Sequence, residues 1–310
     1  MRVLVTGSEG TLGAPLVKEL RARGHEVMGC DLFHTPDPMY RRADVTEYRQ
    51  MQTVFRDFAP NIVYHLAAEF GRLNGEHYYE QMWRTNVIGT RHVLELCYDT
   101  GTKMIFASSS EIYGESYEGR LYEELTQKNP PTQWNDYAIS KWTSEMQIRH
   151  FIERYPAEVM VLRFFNSYGP GEKYHPYRSV IALFAYRLLN QMPVTVFEGY
   201  RRSFMFIDDF IPSLANATEK FARGDVVNLG GNEVRSVDDV VDIVLAHTGA
   251  SPDLVTRKPK EDLNVRDKVA HNYKAKILLG HDPQTPLEVG IPKTIEWMRD
   301  YYKLSEPVHG

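Results

Sequence analysis

Residues 137 to 141 read Tyr-Ala-Ile-Ser-Lys, a phenol and an ammonium four positions apart and so one turn apart on one face of a helix. Of the 19 tyrosines, Tyr137 alone has a lysine four residues later. A phenol of ordinary pKa about 10 becomes a base near neutrality only if the phenolate is favoured by roughly 4 kcal/mol. Lys141 and a second positive charge can supply that field where water is excluded. The spacing alone also fits an amphipathic helix with a solvated lysine. A second stretch, Ser108-Ser-Ser-Glu-Ile-Tyr-Gly114, follows the apolar run Lys103-Met-Ile-Phe-Ala107 and sets the carboxylate of Glu111 behind three hydroxyls. The end of such a strand is where an open α/β sheet presents its ligands, and a carboxylate there can accept a proton. A glutamate that caps a loop or pairs with an arginine is the plainer alternative.

The first strand-like run ends in Thr6-Gly-Ser-Glu-Gly-Thr-Leu-Gly13. Gly7, Gly10 and Gly13, with Thr11 and Leu12 between the last two, fall where a dinucleotide site needs a tight turn, close approach of a pyrophosphate and helix-strand packing. The spacing is G-x-x-G-x-x-G, not the commoner G-x-G-x-x-G, so strand before and helix after carry the argument. Asp31 closes the second strand, where its carboxylate can accept bonds from ribose hydroxyls and repel a 2'-phosphate, which favours NAD over NADP. Asp44 and Val45, in a short strand-like patch, are placed along the adenine. The nicotinamide ring then becomes the second positive charge near Tyr137. No metal-ligand set is assigned.

These groups need a scaffold that brings strand ends together. Short apolar, β-branched runs at 2–6, 26–31, 61–65, 103–107 and 159–163 alternate with helix-like segments at 12–23, 48–58, 83–98 and 137–155. That alternation predicts an α/β fold with a doubly wound parallel (Rossmann) sheet. From residue 169 the rhythm changes to a turn-rich insertion and then mainly helices, including 237–246 and 292–302. The expected division is an NAD-binding part over 1–168, rejoined by about 203–224, and a smaller, mostly helical substrate lobe over 169–310. With 310 residues and 43% apolar content, the chain can bury a large core. A net charge of -5 gives no basic field for nucleic acid or anionic lipid. Cys30 and Cys97 read as buried thiols. Structure begins at once after Met1 and no run reaches 18 apolar residues, so the expected location is cytoplasmic, with no membrane partner.

The chain resembles the extended short-chain dehydrogenase/reductases that act on nucleotide sugars as epimerases, 4,6-dehydratases and decarboxylases. The resemblance runs over nearly the whole length: Thr6 to Gly13, Asp31, His65-Leu66-Ala67-Ala68, Thr85-Asn86-Val-Ile-Gly-Thr90, Ser108 to Gly114, Tyr137 to Lys141, and Leu162-Arg-Phe-Phe-Asn-Ser-Tyr-Gly-Pro170. By this resemblance Leu66, Ala67, Ala68 and Asn86 belong to the NAD site. Tyr137 takes the sugar hydroxyl proton, Lys141 holds the nicotinamide ribose and lowers the tyrosine pKa, and Ser109 bonds the same sugar oxygen. Asn166 meets the sugar diphosphate, and Arg202, Arg178 and Arg266 are candidate phosphate contacts. The resemblance also implies a homodimer. Departures are Thr11-Leu12 in place of a bulky aromatic-isoleucine pair, and His271 where an aspartate is usual.

Glu111 stands where the dehydratases of this family carry glutamate, and some decarboxylases share the Ser-Glu pair. Ser110 occupies the place of an acid that protonates the leaving hydroxyl in some dehydratases, and GDP-mannose dehydratases use serine there. Plain 4-epimerases need no charge at this point. Leu66-Ala-Ala-Glu-Phe-Gly71, Phe206-Ile-Asp-Asp and Val227-Asn-Leu-Gly-Gly231 look most like a 3,5-epimerase branch. The expected activity is an NAD-dependent nucleotide-sugar epimerase/dehydratase that oxidises C4 transiently and uses Glu111 on the C5 proton, with the epimerase favoured. A 4,6-dehydratase, a UDP-glucuronate decarboxylase and a dehydrogenase that releases NADH remain alternatives, and a non-enzymatic NAD-binding sensor would have no need for Ser109, Tyr137 and Lys141 together.

Overall fold

The computed structural model describes residues 1–115, 119–261 and 264–304. Arg2–Thr6 (β1), Glu26–Asp31 (β2), Tyr40–Arg42 (β3), Ile62–His65 (β4), Lys103–Ser109 (β5), Val159–Phe164 and Val226–Leu229 form one parallel sheet. Its order is β3-β2-β1-β4-β5, then 159–164, then 226–229. Alternation along each strand divides the side chains between two layers. Val3 and Val5 of β1 pack with Leu16 and Leu20 of the helix Gly13–Ala22 (α1) and Phe210 and Leu214 of the helix Ile207–Asn216. Leu4, between them, faces Met51 and Phe55 of the helix Tyr48–Phe58 (α2) and Val93 and Leu94 of the helix Thr90–Thr100. Both faces are thus covered, the reason these strands read as continuous apolar runs.

The chain winds outward from β1 to β3 on one side and from β4 onward on the other. The crevice beyond the carboxyl ends of β1 and β4 is therefore the topological switch point. The segment that returns to the sheet runs on to Leu229, past the residue 224 read from the sequence. The helix expected over 83–98 contains a π-helical turn, Arg84–Gly89, before regular helix resumes at Thr90.

A second core lies beside the sheet. The helices Val180–Leu189, Val237–Thr248 and Leu287–Tyr302 bury Phe184, Val241, Val244 and Ile295 against one another. A four-stranded sheet joins the parts in the order 234–236, 201–203, 267–270, 120–121. Its last strand, Arg120–Leu121, follows the Ser-Ser-Glu segment, and Asp267–Ala270 comes from near the C-terminus, so distant stretches meet over the crevice. Among the described residues no helix is long and apolar enough to cross a membrane.

Candidate active site

The loop after β1 is built by its glycines. Gly7 has φ of 72°, in the left-handed region, and its N–H donates to the Cys30 carbonyl at 2.8 Å. At Gly13 a Cβ would fall 2.0 Å from the Gly7 carbonyl oxygen, so α1 can start against the turn only without a side chain there. Asp31 sits beside this loop, one carboxylate oxygen accepting from the Glu9 N–H at 2.9 Å and the other from the Leu32 N–H at 2.6 Å. Across the switch point, Thr6 and His65 join β1 to β4 by a hydrogen bond of 2.8 Å. Burial and the nearby Lys141 ammonium push His65 down to about 3, so it serves as a neutral clasp.

Gly7, Gly10, Thr11, Leu12, Gly13, Asp31, Asp44, Val45, Leu66, Ala67 and Ala68 all line one cavity of about 1790 Å³. Single-ligand pockets hold about 300–1,000 Å³, so this one has room for a dinucleotide and a second large ligand. A glycine turn at a helix N-terminus, with a carboxylate at the next strand end, is a donor and acceptor set that fits NAD. Asn86 does not join it. Its amide is buried behind the wall, accepting from the Glu69 N–H at 2.8 Å and donating to the Glu69 carbonyl at 3.0 Å and the Ser140 hydroxyl at 3.0 Å. Those bonds make Asn86 a brace for the backbone at Glu69, on the cavity wall.

The same cavity continues past Ser109, Ser110, Glu111, Tyr137 and Lys141. Tyr137 starts the helix Asp136–Arg154, whose N-terminus is capped by Asn135 accepting from the Ala138 N–H at 2.8 Å. Ser109 ends β5, its hydroxyl accepting from the Glu111 N–H at 3.2 Å and facing the Tyr137 phenol. Burial pushes the Tyr137 phenol up to about 12, with the Glu111 charge adding to the rise against the Ser109 hydroxyl. Lys141 donates from Nζ to the Ala107 carbonyl at 2.8 Å, and burial pushes its ammonium down to about 7 while Glu145 pulls it up. Among the protein's own groups desolvation leads at the tyrosine and the Lys141 ammonium is bonded to the Ala107 carbonyl, so a base at Tyr137 needs the positive charge of a bound nicotinamide as well.

Glu111 is the charged centre of the opposite wall. Its Oε1 accepts from the Lys268 ammonium, and its Oε2 has no hydrogen-bond partner. Burial alone would raise this carboxyl, but Lys268, Arg72 and Arg202 together hold it below the usual range. Arg72 donates from Nη2 to Glu261 at 2.9 Å and leaves Nη1 unpaired. Among the described residues, seven buried side-chain polar atoms lack a partner, and four of them, on Arg72, Glu111, Asn166 and Arg178, belong to residues of this cavity wall. Such atoms are costly to bury, so their concentration here marks a place for a polar ligand.

The phosphate candidates separate. Asn166 keeps its Oδ1 free in the wall, and Arg178 lies 3.7 Å over the Phe70 ring with Nε unpaired. Arg202 reaches the cavity, but its Nη atoms already donate to the Arg201, Val265 and Arg266 carbonyls and to Asn264 at 2.7–3.0 Å. A phosphate there would compete with those acceptors. Arg266 is exposed, lies outside the cavity wall and leans on the Gly199 carbonyl at 3.5 Å. Sequence reasoning missed Lys268, Arg72 and Glu261. The one signal for Lys268 was a lysine inside the run Lys-Val-Ala of a short strand.

Behind the wall, Ser108 donates to Glu145, which grips Arg163 through Nε at 3.0 Å and Nη2 at 2.7 Å. Arg163 also donates to the Tyr113 hydroxyl at 2.9 Å, so the Ser108 to Tyr113 segment is fixed from both ends.

A sequence model of the NAD dependent epimerase/dehydratase family matches residues 3–230. Among curated proteins, the chain is 27% identical to a UDP-N-acetyl-alpha-D-glucosaminuronate decarboxylase of Bacillus cytotoxicus, over 96% of this chain and 98% of the relative. Among solved structures, it is similar to the UDP-glucose 4-epimerase of Thermotoga maritima with UDP-glucose, with a TM-score of 0.87, 27% identity, and coverage of 97% and 100%. It is also similar to the UDP-glucuronic acid 4-epimerase of Bacillus cereus in complex with UDP-glucuronic acid and NAD, with a TM-score of 0.85, 26% identity, and coverage of 97% and 100%.

Proposed function

The chain belongs to the NAD-dependent epimerase/dehydratase family, and from that premise we propose that it converts a nucleotide-diphosphate sugar by transient oxidation at C4 followed by proton transfer at C5. It is an NAD-dependent enzyme of the nucleotide-sugar epimerase, dehydratase and decarboxylase group. NAD, when bound, supplies the hydride acceptor for C4 and returns what it takes. The glycine loop after β1 and Asp31 would hold the dinucleotide, and Lys141 would bond its ribose. Tyr137 takes the proton of the C4 hydroxyl at its phenolic oxygen, with Ser109 bonding the same sugar oxygen. The resulting ketone makes the C5 proton acidic. The Glu111 carboxylate removes it, the C–H electrons pass into the C4–C5 enolate, a proton added to the opposite face of C5 restores the ketone, and return of hydride to C4 with the Tyr137 proton to its oxygen completes the epimerisation. Asn166 and Arg178 bind the diphosphate.

One observation carries this reading: an ionised carboxylate with an unpaired oxygen sits two residues past Ser109, in the same cavity wall as Tyr137. Glu111→Gln should keep NAD binding and lower turnover by about 10²- to 10⁴-fold, the usual worth of a positioned general base. Turnover within about threefold of the parent, below the smallest usual worth of such a base, would remove Glu111 from the reaction.

A second reading, in which the sugar is a uronate and the product a pentose nucleotide, draws on the three cations around Glu111 and on the relatives that act on uronic acids. Carbon dioxide released from UDP-glucuronate would select it, a keto-deoxy sugar would select the dehydratase, and accumulating NADH a simple dehydrogenase. We further propose a homodimer. Its support is apolar exposure on neighbouring helices, with Trp83, Ile88, Ile139 and Met146 each at least 38% exposed.

A further inference from the structure

Lys268 lies in no motif, yet it is among the most enclosed charges of the molecule, with 3% of its side chain exposed against 14% for its partner Glu111. It stands on the strand Asp267–Ala270, paired with Arg201–Ser203 on one side and Arg120–Leu121 on the other. A charge this dry is costly unless paired, and its Nζ meets Glu111 Oε1. The other cations around Glu111 act on it through space and are bonded to other groups, although Arg72 keeps Nη1 unpaired. Arg72, from the helix Arg72–His77, is bonded to Glu261, and Arg202, from 201–203, to backbone carbonyls and Asn264. Asp267, on the same strand as Lys268, is paired with Arg201 at 2.6 Å, and Tyr137 faces Glu111 from the helix Asp136–Arg154.

We infer that Lys268 is a positioning residue for proton transfer at Glu111, anchoring Oε1 through its Nζ and leaving Oε2 as the proton acceptor. Burial pushes the Lys268 ammonium down to about 7 while Glu111 pulls it up, so in the acid range where the carboxyl titrates Lys268 is charged. The inference rests on the reading of Glu111 as the C5 base. A buried carboxyl without this cation would hold its proton toward neutral pH. In the protein burial is overridden, and Lys268 leads the groups that keep the carboxyl low. The late strand of the chain thus completes a reaction centre whose other members come from the end of β5, the turn after it and the helix Asp136–Arg154.

The sign of the test follows. The working form of Glu111 is the carboxylate, so loss of the adjacent positive charge raises its pKa and moves the acid limb of kcat/KM to higher pH. Lys268→Met and Lys268→Gln, checked for unchanged NAD affinity, should each move that limb upward by about one to three pH units. Lys268→Arg should keep it near the parent's position. A ¹³C titration of side-chain-labelled glutamate, with the Glu111 resonance identified by its loss in Glu111→Gln, should show the same rise without any turnover. If the carboxyl midpoint is unchanged in both neutral variants, the inference is overturned. If the midpoint rises but Glu111→Gln is fully active, the pairing stands and the base assignment falls. A Lys268 variant that loses NAD affinity and melts early is decided by the same titration in the other neutral variant.

Discussion

At the scale of residues, Tyr137 and Glu111 are coupled, because one carboxylate both stands ready for a proton and raises the neighbouring phenol. Removing that charge favours the phenolate, so in Glu111→Gln the Tyr137 midpoint should fall from about 12, read by ring-labelled tyrosine NMR. A midpoint that stays or rises would place the two groups out of electrostatic reach. The types and spacing of Tyr137, Lys141, Ser109 and Glu111 were legible in the sequence, since each lies in a short local motif. The ion pair was not, because Glu111 and Lys268 are 157 residues apart and meet only through strand pairing. The bonds of Asn86 to the Glu69 backbone were not legible either, because a motif gives an amide's position along the chain but not which backbone groups it will clasp.

At the scale of elements, the site depends on two rigid supports. The first is the turn between β1 and α1. Gly13→Ala places a methyl against the Gly7 carbonyl, so it should cost about 1–3 kcal/mol in denaturant melts and weaken NAD binding in titration. An alanine variant with parental stability would mean that the turn relaxes freely. The second is the buried Glu145–Arg163 pair, with side chains 6% and 3% exposed. Glu145→Ala strands the guanidinium and should destabilise the protein by about 3–5 kcal/mol, measured by the same melts. Five strands of the sheet could be read within about two residues because both faces are buried, whereas the edge strand Tyr40–Arg42 was missed and Asp44 and Val45, read as strand-like, lie just past it. Val226–Leu229 was seen only as a motif, being four residues long and followed by two glycines. The last helix begins at Leu287, five residues before Pro292; a proline reads as a helix start, yet here it lies inside the helix.

At the scale of the whole molecule, two cores meet over one cavity, and the sheet of 120–121, 201–203, 234–236 and 267–270 ties them together. Exposed apolar side chains gather on the outer helices, with Met146 at 55% and Ile139 seven positions before it on the same helix face. Met146→Glu should therefore shift the protein from dimer to monomer in light scattering, with NAD binding retained; an unchanged mass would move the interface elsewhere. The alternation of strand and helix was enough to read this architecture, whereas the crossing of late strands over the crevice depends on long-range pairing that no local pattern encodes. The central claim, that Glu111 removes the C5 proton after C4 is oxidised, is tested most directly by turnover of a nucleotide sugar in D₂O followed by NMR of the recovered sugar. The account predicts deuterium at C5 with the parent enzyme and its loss in Glu111→Gln, and turnover with C5 still fully protonated would contradict it.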